Sequence, residues 1–482
     1  MSNTSAWLFI VTGFFISARS MAQNQLRPNI LIVIADDWSY GHAGIYGDKV
    51  VKTPHIDSVA KEGVLFLNAF CTASSCTPSR ASLLTGRYPH QLDAGASLWG
   101  YLPKKYSNYT EILQQQGYYV GLTGKGWGPG NEEAGGYDYN PAGKRFKDFA
   151  TFIAEKPDDS PFSFWYGSSD PHRPYEAGTG AASGMRADEV EVPGWLPDVS
   201  VVRNDILDYY FEIERFDRQL GEIIKVLRIA GQLENTLIVI TSDNGMPFPR
   251  AKATMYDSGT KIPLIMSWKG RIKPGSQINE FVSLMDLAPT FLDLSGQEIP
   301  SEMTGTSLLP LLKKEKVKDR KMAFVERERH ANVRIGDLGY PARGIRTAEY
   351  LYIQNYESDR WPAGDPELYH SVGRYGDCDE SPTKDYIIDN KDQSVITPFF
   401  NRAFAKHNPV ELYDLKKDPN QLNNVASDRK YKQVIEKLKK QLYHWQVRTE
   451  DPRATDPQHV KFDQYPYFGP PVKGAPSVYK PD

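Results

Sequence analysis

Cysteine is scarce: 482 residues hold only Cys71, Cys76 and Cys378. An odd count excludes a complete disulfide framework, and no zinc-type Cys/His spacing is present. One of the three is therefore free for another purpose. Charge of either sign is not in excess, with 57 Lys and Arg against 60 Asp and Glu and a formal net charge of -3. That balance speaks against nucleic acid as a partner, and no single-sign run is long enough for a disordered tail. Long apolar runs are missing too. Trp7 to Ile16 is apolar but too short to span a bilayer. It precedes Ser20-Met21-Ala22, a small-x-small cleavage pattern, although no Lys or Arg comes before it. Residues 1–22 thus read as a signal peptide, predicting an exported, soluble protein, periplasmic or secreted, with no membrane partner. The signal lacks a lipobox cysteine, which argues against a lipid anchor.

What is present is ordinary globular composition, 40% hydrophobic and 24% charged, in a chain long enough for two domains. Arg27 to Ala35 (RPNILIVIA) is continuously apolar, as a parallel strand buried on both faces requires. A helix opening at Thr53-Pro54 leads to a strand at Val64 to Phe70. Pro78 opens another helix, whose Ala81, Leu83 and Leu84 precede a stop at Gly86. A helix at Tyr109 to Gln116 is then followed by strands at Tyr118 to Thr123 and Phe162 to Tyr166. A long helical stretch, Asp205 to Ala230, leads into Thr236 to Thr241. Ile262 to Ser267 and a helix around Leu284 to Leu294 complete this part. The alternation predicts an α/β fold, a large mostly parallel sheet flanked by helices, with ligands beyond the carboxyl ends of the strands.

After about Arg320 the texture changes to short β-like runs (Met322 to Val325, Leu351 to Ile353) and a late amphipathic helix, Tyr431 to Gln446. This predicts a catalytic domain over 23–320 and a smaller α+β domain over 321–482 that contributes to the substrate cleft. Lys313 to Arg320, charged and poor in apolar residues, is the candidate linker. Gln464 to Asp482, rich in Pro, Gly and Tyr, is expected to lie extended on the surface.

Two predicted strands end in acidic pairs, Asp36-Asp37 and Asp243-Asn244. Three carboxylates and an amide oxygen at neighbouring strand ends would make an oxygen-only cation site, which suits calcium. Crowding that charge without a cation is unfavourable. Taken singly, an Asp at a strand end more often starts a turn or caps a helix. The third element is Cys76-Thr77-Pro78-Ser79-Arg80, continued by Ala81-Ser82-Leu83-Leu84-Thr85-Gly86-Arg87.

That segment resembles the signature of the type I sulfatases, Cys-x-Pro-Ser-Arg with a downstream Leu-Thr-Gly-Arg, in the alkaline phosphatase superfamily. The resemblance implies an alkaline phosphatase-like fold and oxidation of Cys76 to Cα-formylglycine (3-oxoalanine) by a formylglycine-generating, sulfatase-maturating enzyme. It further implies one calcium ion held by Asp36, Asp37, Asp243, Asn244 and the modified Cys76. The hydrate of the aldehyde is a geminal diol: one hydroxyl attacks sulfur, the alcohol leaves, and the other hydroxyl expels sulfate. A diol beside a divalent cation is a better nucleophile at neutral pH than serine. Pro78 and the helix behind it aim N–H groups at an anion, and Arg80 would hold the diol and neutralise sulfate. Cys71 lacks this context and is assigned to the core.

Further matches are dispersed. Gly124-Lys125 resembles the family's Gly-Lys, whose lysine contacts sulfate. Asp170-Pro171-His172-Arg173-Pro174 resembles its Asp-Pro-His segment, in which the histidine protonates the leaving oxygen. Lys252 resembles the lysine that completes the sulfate clamp. Near the C-terminus, Glu411-Leu412-Tyr413-Asp414-Leu415 with Asp418-Pro419 and Asn423-Asn424 resembles a structural segment of the family.

Within the family, Ser242-Asp243-Asn244-Gly245-Met246-Pro247-Phe248-Pro249 and Trp445 with Thr449-Glu450-Asp451-Pro452 look like the sulfamidase-like, heparan N-sulfatase branch. Two departures favour a sulfate ester instead. Trp127 follows Gly124-Lys125-Gly126 where sulfamidases place a histidine, and Lys252 stands where they carry an arginine, with Arg250 two residues away as a substitute. Trp127 either stacks on a sugar ring or packs in the core. Arg173, Arg250, Glu328, Arg329 and His330 are substrate-binding candidates, the last three early in the second domain, with Arg343 and Arg346 weaker ones; the competing assignment is a solvated turn. The expected substrate is a sulfated polysaccharide or oligosaccharide, algal such as ulvan or a glycosaminoglycan. The alternatives are N-sulfoglucosamine sulfohydrolase, a phosphonate monoester hydrolase or phosphodiesterase, and an inactive glycan-binding homologue.

Overall fold

The structure, a computed structural model, describes residues 27–315, 317, 320–367 and 373–470. The signal-peptide expectation, part of the proposed linker and residues 471–482 of the C-terminal segment lie outside the described residues.

Twelve strands among the described residues form two sheets. The larger contains β1 (Asn29–Ala35), β2 (Val64–Phe70), β3 (Tyr119–Gly124), β4 (Lys144–Arg145), β5 (Phe162–Gly167), β6 (Thr236–Ser242), β7 (Leu264–Ser267) and β8 (Ser276–Ser283). Their order is β4-β3-β5-β1-β6-β7-β2-β8. Only β7 runs against the rest. The expectation of a mostly parallel sheet is met, and the reason is visible in β1. All seven of its residues are buried, between β5 and β6, so neither face tolerates a polar alternate.

Helices cover both faces. On one, α1 (Cys76–Thr85) and α3 (Leu287–Leu294) pack through Leu83, Leu84, Leu287 and Phe291 onto Ile30, Ile32 and Val239. On the other, the 30-residue α2 (Ser200–Ile229) lays Ile206, Ile213, Phe216 and Leu220 against Leu31, Val33 and Ile240. This helix starts five residues before the expected Asp205. Gly86 ends α1 as expected: at φ 63 its N–H donates to Ser82 O, a left-handed closure that glycine adopts without strain.

The smaller sheet is antiparallel, in the order β12 (Val410–Asp414), β11 (Tyr350–Asn355), β10 (Ala342–Thr347), β9 (Met322–Arg327). One face holds α4 (Lys432–Arg448) through Leu438, Leu442 and Trp445, packed with Ile345, Tyr352 and Leu412. The other face meets Met255 and Tyr256 from the chain after β6. The sheets are also joined where the Glu326 N–H donates to Thr72 O at 2.8 Å. No helix among the described residues is long and apolar enough to cross a membrane.

Candidate active site

Four adjacent parallel strands, β3, β5, β1 and β6, end on one edge of the large sheet. Their carboxyl ends deliver Lys125, the Asp170–His172 turn, Asp36-Asp37 and Asp243-Asn244 in a row, as ligand sites in open α/β sheets require. Two glycines make the crowding possible. Gly124 sits at φ 75, and a Cβ there would lie 2.1 Å from Gly167 O. A Cβ on Gly167 would lie 1.7 Å from Lys125 O. The bare backbones let the Lys125 N–H donate to Gly167 O at 2.8 Å, which starts the turn carrying the lysine over the strand ends.

Asp37 is the strained member. Its φ of 74 is unfavourable for a residue with a Cβ, and it is over-determined by its surroundings. The Asp37 N–H donates to Asp243 Oδ1 at 3.1 Å, and the next N–H, of Trp38, donates to Ser242 Oγ at 2.8 Å. The strain holds both carboxylates of the Asp36-Asp37 pair beside Asp243.

Cys76 opens α1 against these acids. Its Sγ is 3.5 Å from Asp36 Oδ1, 4.0 Å from Asp37 Oδ1 and 3.9 Å from Asn244 Nδ2. All ten residues of α1 are buried, so the helix start is fixed from every side. Ser79 Oγ donates to Asp243 O at 2.5 Å, and Thr77 Oγ1 donates to Pro129 O. One turn in, Arg80 is fully buried. It donates from Nε to Asp243 Oδ2 at 2.7 Å, and from its other nitrogens to the carbonyls of Lys125 and Gly126 and to Asp36 Oδ1.

Three cations thus face three carboxylates. Lys125 Nζ lies 2.5 Å from Asp36 Oδ2, and Lys252 Nζ lies 2.7 Å from Asp37 Oδ2. Burial raises the Asp36 carboxyl, but Lys125, His172, Arg80 and Lys252 outweigh it and hold Asp36 well below the usual range. Asp37 goes the other way, to about 6: burial, with Asp36 and Asp243 beside it, exceeds what Lys252 and His172 return.

The donor set fits a divalent cation. Ligand atoms of Asp36, Cys76 and Asp243 all lie within 4.8 Å of one another, in full burial. Asn244 Oδ1, buried at the same place, has no hydrogen-bond donor, whereas its Nδ2 donates to Asp243 Oδ1 at 2.9 Å. A lone acceptor oxygen among carboxylates is what an oxygen-seeking ion satisfies and what a hydrogen-bond network would not leave open.

A family model for sulfatases matches residues 28–151 and 130–297, spanning every residue of this cluster. The chain belongs to the sulfatase family. A second model, described as the C-terminal part of N-sulphoglucosamine sulphohydrolase, matches residues 250–367 and 380–448. Human N-sulphoglucosamine sulphohydrolase is 30% identical over 90% of this chain and 93% of its own length. An ulvan-active sulfatase of Formosa agariphila is 29% identical over 87% of this chain and 80% of its own. The solved structure of BT4656 with its substrate D-glucosamine-2-N,6-O-disulfate superposes with a TM-score of 0.65. It is 21% identical, covering 90% of this chain and 99% of that one, and so shares the fold. The protein is a sulfuric ester hydrolase with the alkaline phosphatase-like fold.

The mouth of this sulfatase's site is set by the few cluster side chains that reach solvent: His172 at 33% exposure, Asp379 at 24% and Lys125 at 21%. His172 Nε2 is 3.8 Å from Asp37 Oδ2, while Nδ1 meets the Arg173 carbonyl oxygen. Asp379 carries no motif and was not foreseen; its Oδ2 is 3.3 Å from Lys252 Nζ. Burial pushes its carboxyl up, but Lys252, His172, His330 and Arg173 overcome this and hold it well below the usual range. Its neighbour Cys378, one of few cysteines in an otherwise polar stretch, was the only sequence cue.

Most of the expected substrate contacts are corrected. Trp127 is buried in the core, its backbone N–H donating to Asn140 Oδ1 at 2.9 Å, and is no rim residue. Arg173 makes a two-pronged pair with Asp205, both bonds 2.8 Å. Arg250 lies over the Tyr256 ring at 3.7 Å and donates to the Arg402 and Gln421 carbonyls, so it does not replace Lys252. Glu328 is clasped by Arg343 and Arg453 at 2.8 and 2.7 Å. Arg329 reaches the carbonyls of Asp463 and Tyr465, and Arg346 pairs with Asp257. In each case a buried charge has been matched with a partner inside the protein, which burial demands. His330 alone of these faces the site. Its Nδ1 is 2.8 Å from Ser75 Oγ, the residue before Cys76, and Ala331 and Val333 pack on Cys76. Burial, aided by Lys252 and Arg327, lowers the His330 imidazole to about 4 and keeps it neutral. Cys71 is core, as expected.

Proposed function

We propose that the enzyme hydrolyses O-sulfate esters on a sulfated carbohydrate, an algal polysaccharide such as ulvan or a glycosaminoglycan. It would use formylglycine at position 76 and one calcium ion held by Asp36, Asp37, Asp243 and Asn244, the catalytic machinery lying in 23–320 and the 321–482 unit closing over it. The observation that carries this is the convergence of an orphaned amide oxygen, three carboxylates and Cys76 within one buried cluster.

An unmodified thiol suits the task poorly. Burial raises Cys76, and Asp36 and Asp243 add to this against Lys125 and Lys252, so its thiolate is strongly disfavoured. Oxidised by a maturating enzyme and hydrated, position 76 supplies a diol that attacks sulfur and later sheds sulfate. A calcium ion held by Asp36, Asp37, Asp243 and Asn244 would supply fixed positive charge and Lewis acidity to the site. The protein's own groups do the rest. Lys125 and Lys252 flank the approach and would take the sulfate oxygens, their partners Asp36 and Asp37 turning to the cation. His172 presents Nε2 to the mouth as the acid for the leaving oxygen. The carbonyl at Nδ1 fixes the tautomer that remains after the proton is given up. Arg80, with its donors committed to Asp243, Asp36 and two carbonyls, keeps the helix start against the acids.

Lys252 in the clamp, with Arg250 turned away, favours an ester over a sulfamate. The match of residues 250–367 and 380–448 to the N-sulphoglucosamine sulphohydrolase C-terminal model is the observation on the other side. Export, to the periplasm or beyond, would place the enzyme with polymeric substrate. Mass spectrometry of the peptide around residue 76, from protein made in its native host, should show the aldehyde. Sulfate release from ulvan fragments and O-sulfated glycosaminoglycan oligosaccharides, set against N-sulfoglucosamine, completes the test. An intact thiol in active enzyme, or release from N-sulfoglucosamine alone, would overturn this reading.

A further inference from the structure

At the far end of α1 from Cys76 lies a second concavity. Gly86 closes that helix against Met303, whose side chain lines a groove of about 1350 Å³ between the two sheets. Ten residues of helix separate it from the nucleophile, about 15 Å along the axis. Its floor is largely apolar, with Tyr88, Met285 and Trp445, and it is larger than a pocket for one small ligand.

One wall is α4, and that wall is basic. Lys437, Lys440, His444 and Arg448 all line the groove and all are exposed. Their spacing of three, four and four residues puts them in one stripe, beside the buried Leu438, Leu442 and Trp445. The stripe runs for about 16 Å. Lys437, Lys440 and Arg448 make no side-chain ion pair or hydrogen bond with any described residue. The one acidic side chain in α4 is Glu436. Across the groove, the charge of Asp286 is cancelled by Arg320 at 2.6 Å. An ordinary solvated helix face mixes signs; this one keeps a single sign along a groove, on a chain whose overall charge is -3. The positive potential is local: of the acidic side chains lining the groove, Asp286 is paired with Arg320, which leaves Glu315 alone against the stripe.

We propose that this groove is a second binding site for sulfated polysaccharide, holding an anionic stretch of polymer away from the nucleophile. The identity of the occupant rests on the proposed function; the preference for a polyanion rests on the groove itself. Regularly spaced sulfates or carboxylates would lie along the stripe, with sugar faces against the apolar floor, and contact would release counterions. Such a site raises the local concentration of polymer at the active site without altering the chemistry.

The test uses full-length mature protein carrying C76A, so that the probe is not consumed, with fluorescein-labelled heparin and ulvan as probes and neutral dextran as control. In that background K437Q/K440Q/R448Q should weaken polymer binding at least tenfold at low salt and flatten the log–log salt dependence by about three units. K437E/K440E/R448E should weaken it further. Introduced into the catalytically competent chain, neither set should change turnover of a small aryl sulfate. Unchanged polymer affinity in both triple variants, with melting temperatures intact, overturns the proposal. So does displacement of heparin by duplex DNA at equal anion concentration. Binding that persists in protein unable to release sulfate from any substrate would count against the proposed function and leave the groove standing.

Discussion

Lys252 Nζ lies 3.3 Å from Asp379 Oδ2, an ion pair between the loop after β6 and a residue between β11 and β12. With Asp37 on its other side at 2.7 Å, the ammonium is held from within and from without. Of its two carboxylates, only the outer one reaches solvent and can meet substrate.

D379N should therefore keep the fold and loosen the hold on Lys252, the residue proposed to take a sulfate oxygen. Removing the charged partner of the Lys252 ammonium should cost about 1.5–3 kcal/mol, or roughly ten- to a hundredfold in kcat/KM for sulfate ester. Steady-state kinetics with an aryl sulfate measures it. An unchanged kcat/KM would reduce Asp379 to a bystander.

Asp379 also marks where sequence reading stops. The large sheet was legible because β1, β5 and β6 are apolar on both faces, and their acidic or polar ends stand out against that. Strand β8 (SQINEFVS) escaped because it is an edge with an intermittent burial pattern, and β4 because two residues carry no period. Charged residue type says nothing of which partner a side chain finds. Arg173, Arg250, Glu328 and Arg329 have the chemistry of sulfate or sugar contacts, yet internal partners 15 to 171 residues away absorb them. His330 differs from its neighbour Arg329 only in direction, which the β9–β10 connection decides and no local pattern records.

Metal removal should cost stability as well as activity. With the ion gone, Asp36, Asp37 and Asp243 crowd each other, and Asp37 is already raised to about 6. At a hundredfold excess of calcium over its Kd the folded state gains about 2.7 kcal/mol, so chelation should lower Tm by a few degrees and calcium should restore it. A Tm indifferent to chelator and calcium would contradict the site. N244A, which removes the orphaned oxygen, should shrink the calcium-dependent shift.

His172 should matter in proportion to the leaving group. H172A removes the proposed proton donor, so sugar sulfates, whose alcohols leave poorly, should lose about 10²–10⁴-fold in kcat. An aryl sulfate with an acidic phenol should lose far less. Equal losses on both substrates would assign His172 to binding instead of proton transfer.

Acid stability has a separate centre in the small sheet. Glu411 is buried, accepting from Tyr256 at 2.8 Å and from Asn355 at 2.7 Å, with Tyr413 alongside. Burial raises it, but His407 and the hydrogen bonds from Tyr413 and Asn355 prevail and bring it from 4.5 to about 2. A depressed carboxyl contributes stability that is full above its unfolded value and fades as pH falls through the folded one. The window is therefore about pH 4.5 down to 2, and the contribution above it is about 3 kcal/mol. E411Q should lower the urea midpoint at pH 7, and the gap to the parent protein should narrow as both are taken toward pH 3. A gap that stays constant across that range would mean the carboxylate's charge contributes nothing, leaving only the shape and hydrogen-bonding capacity that glutamine shares.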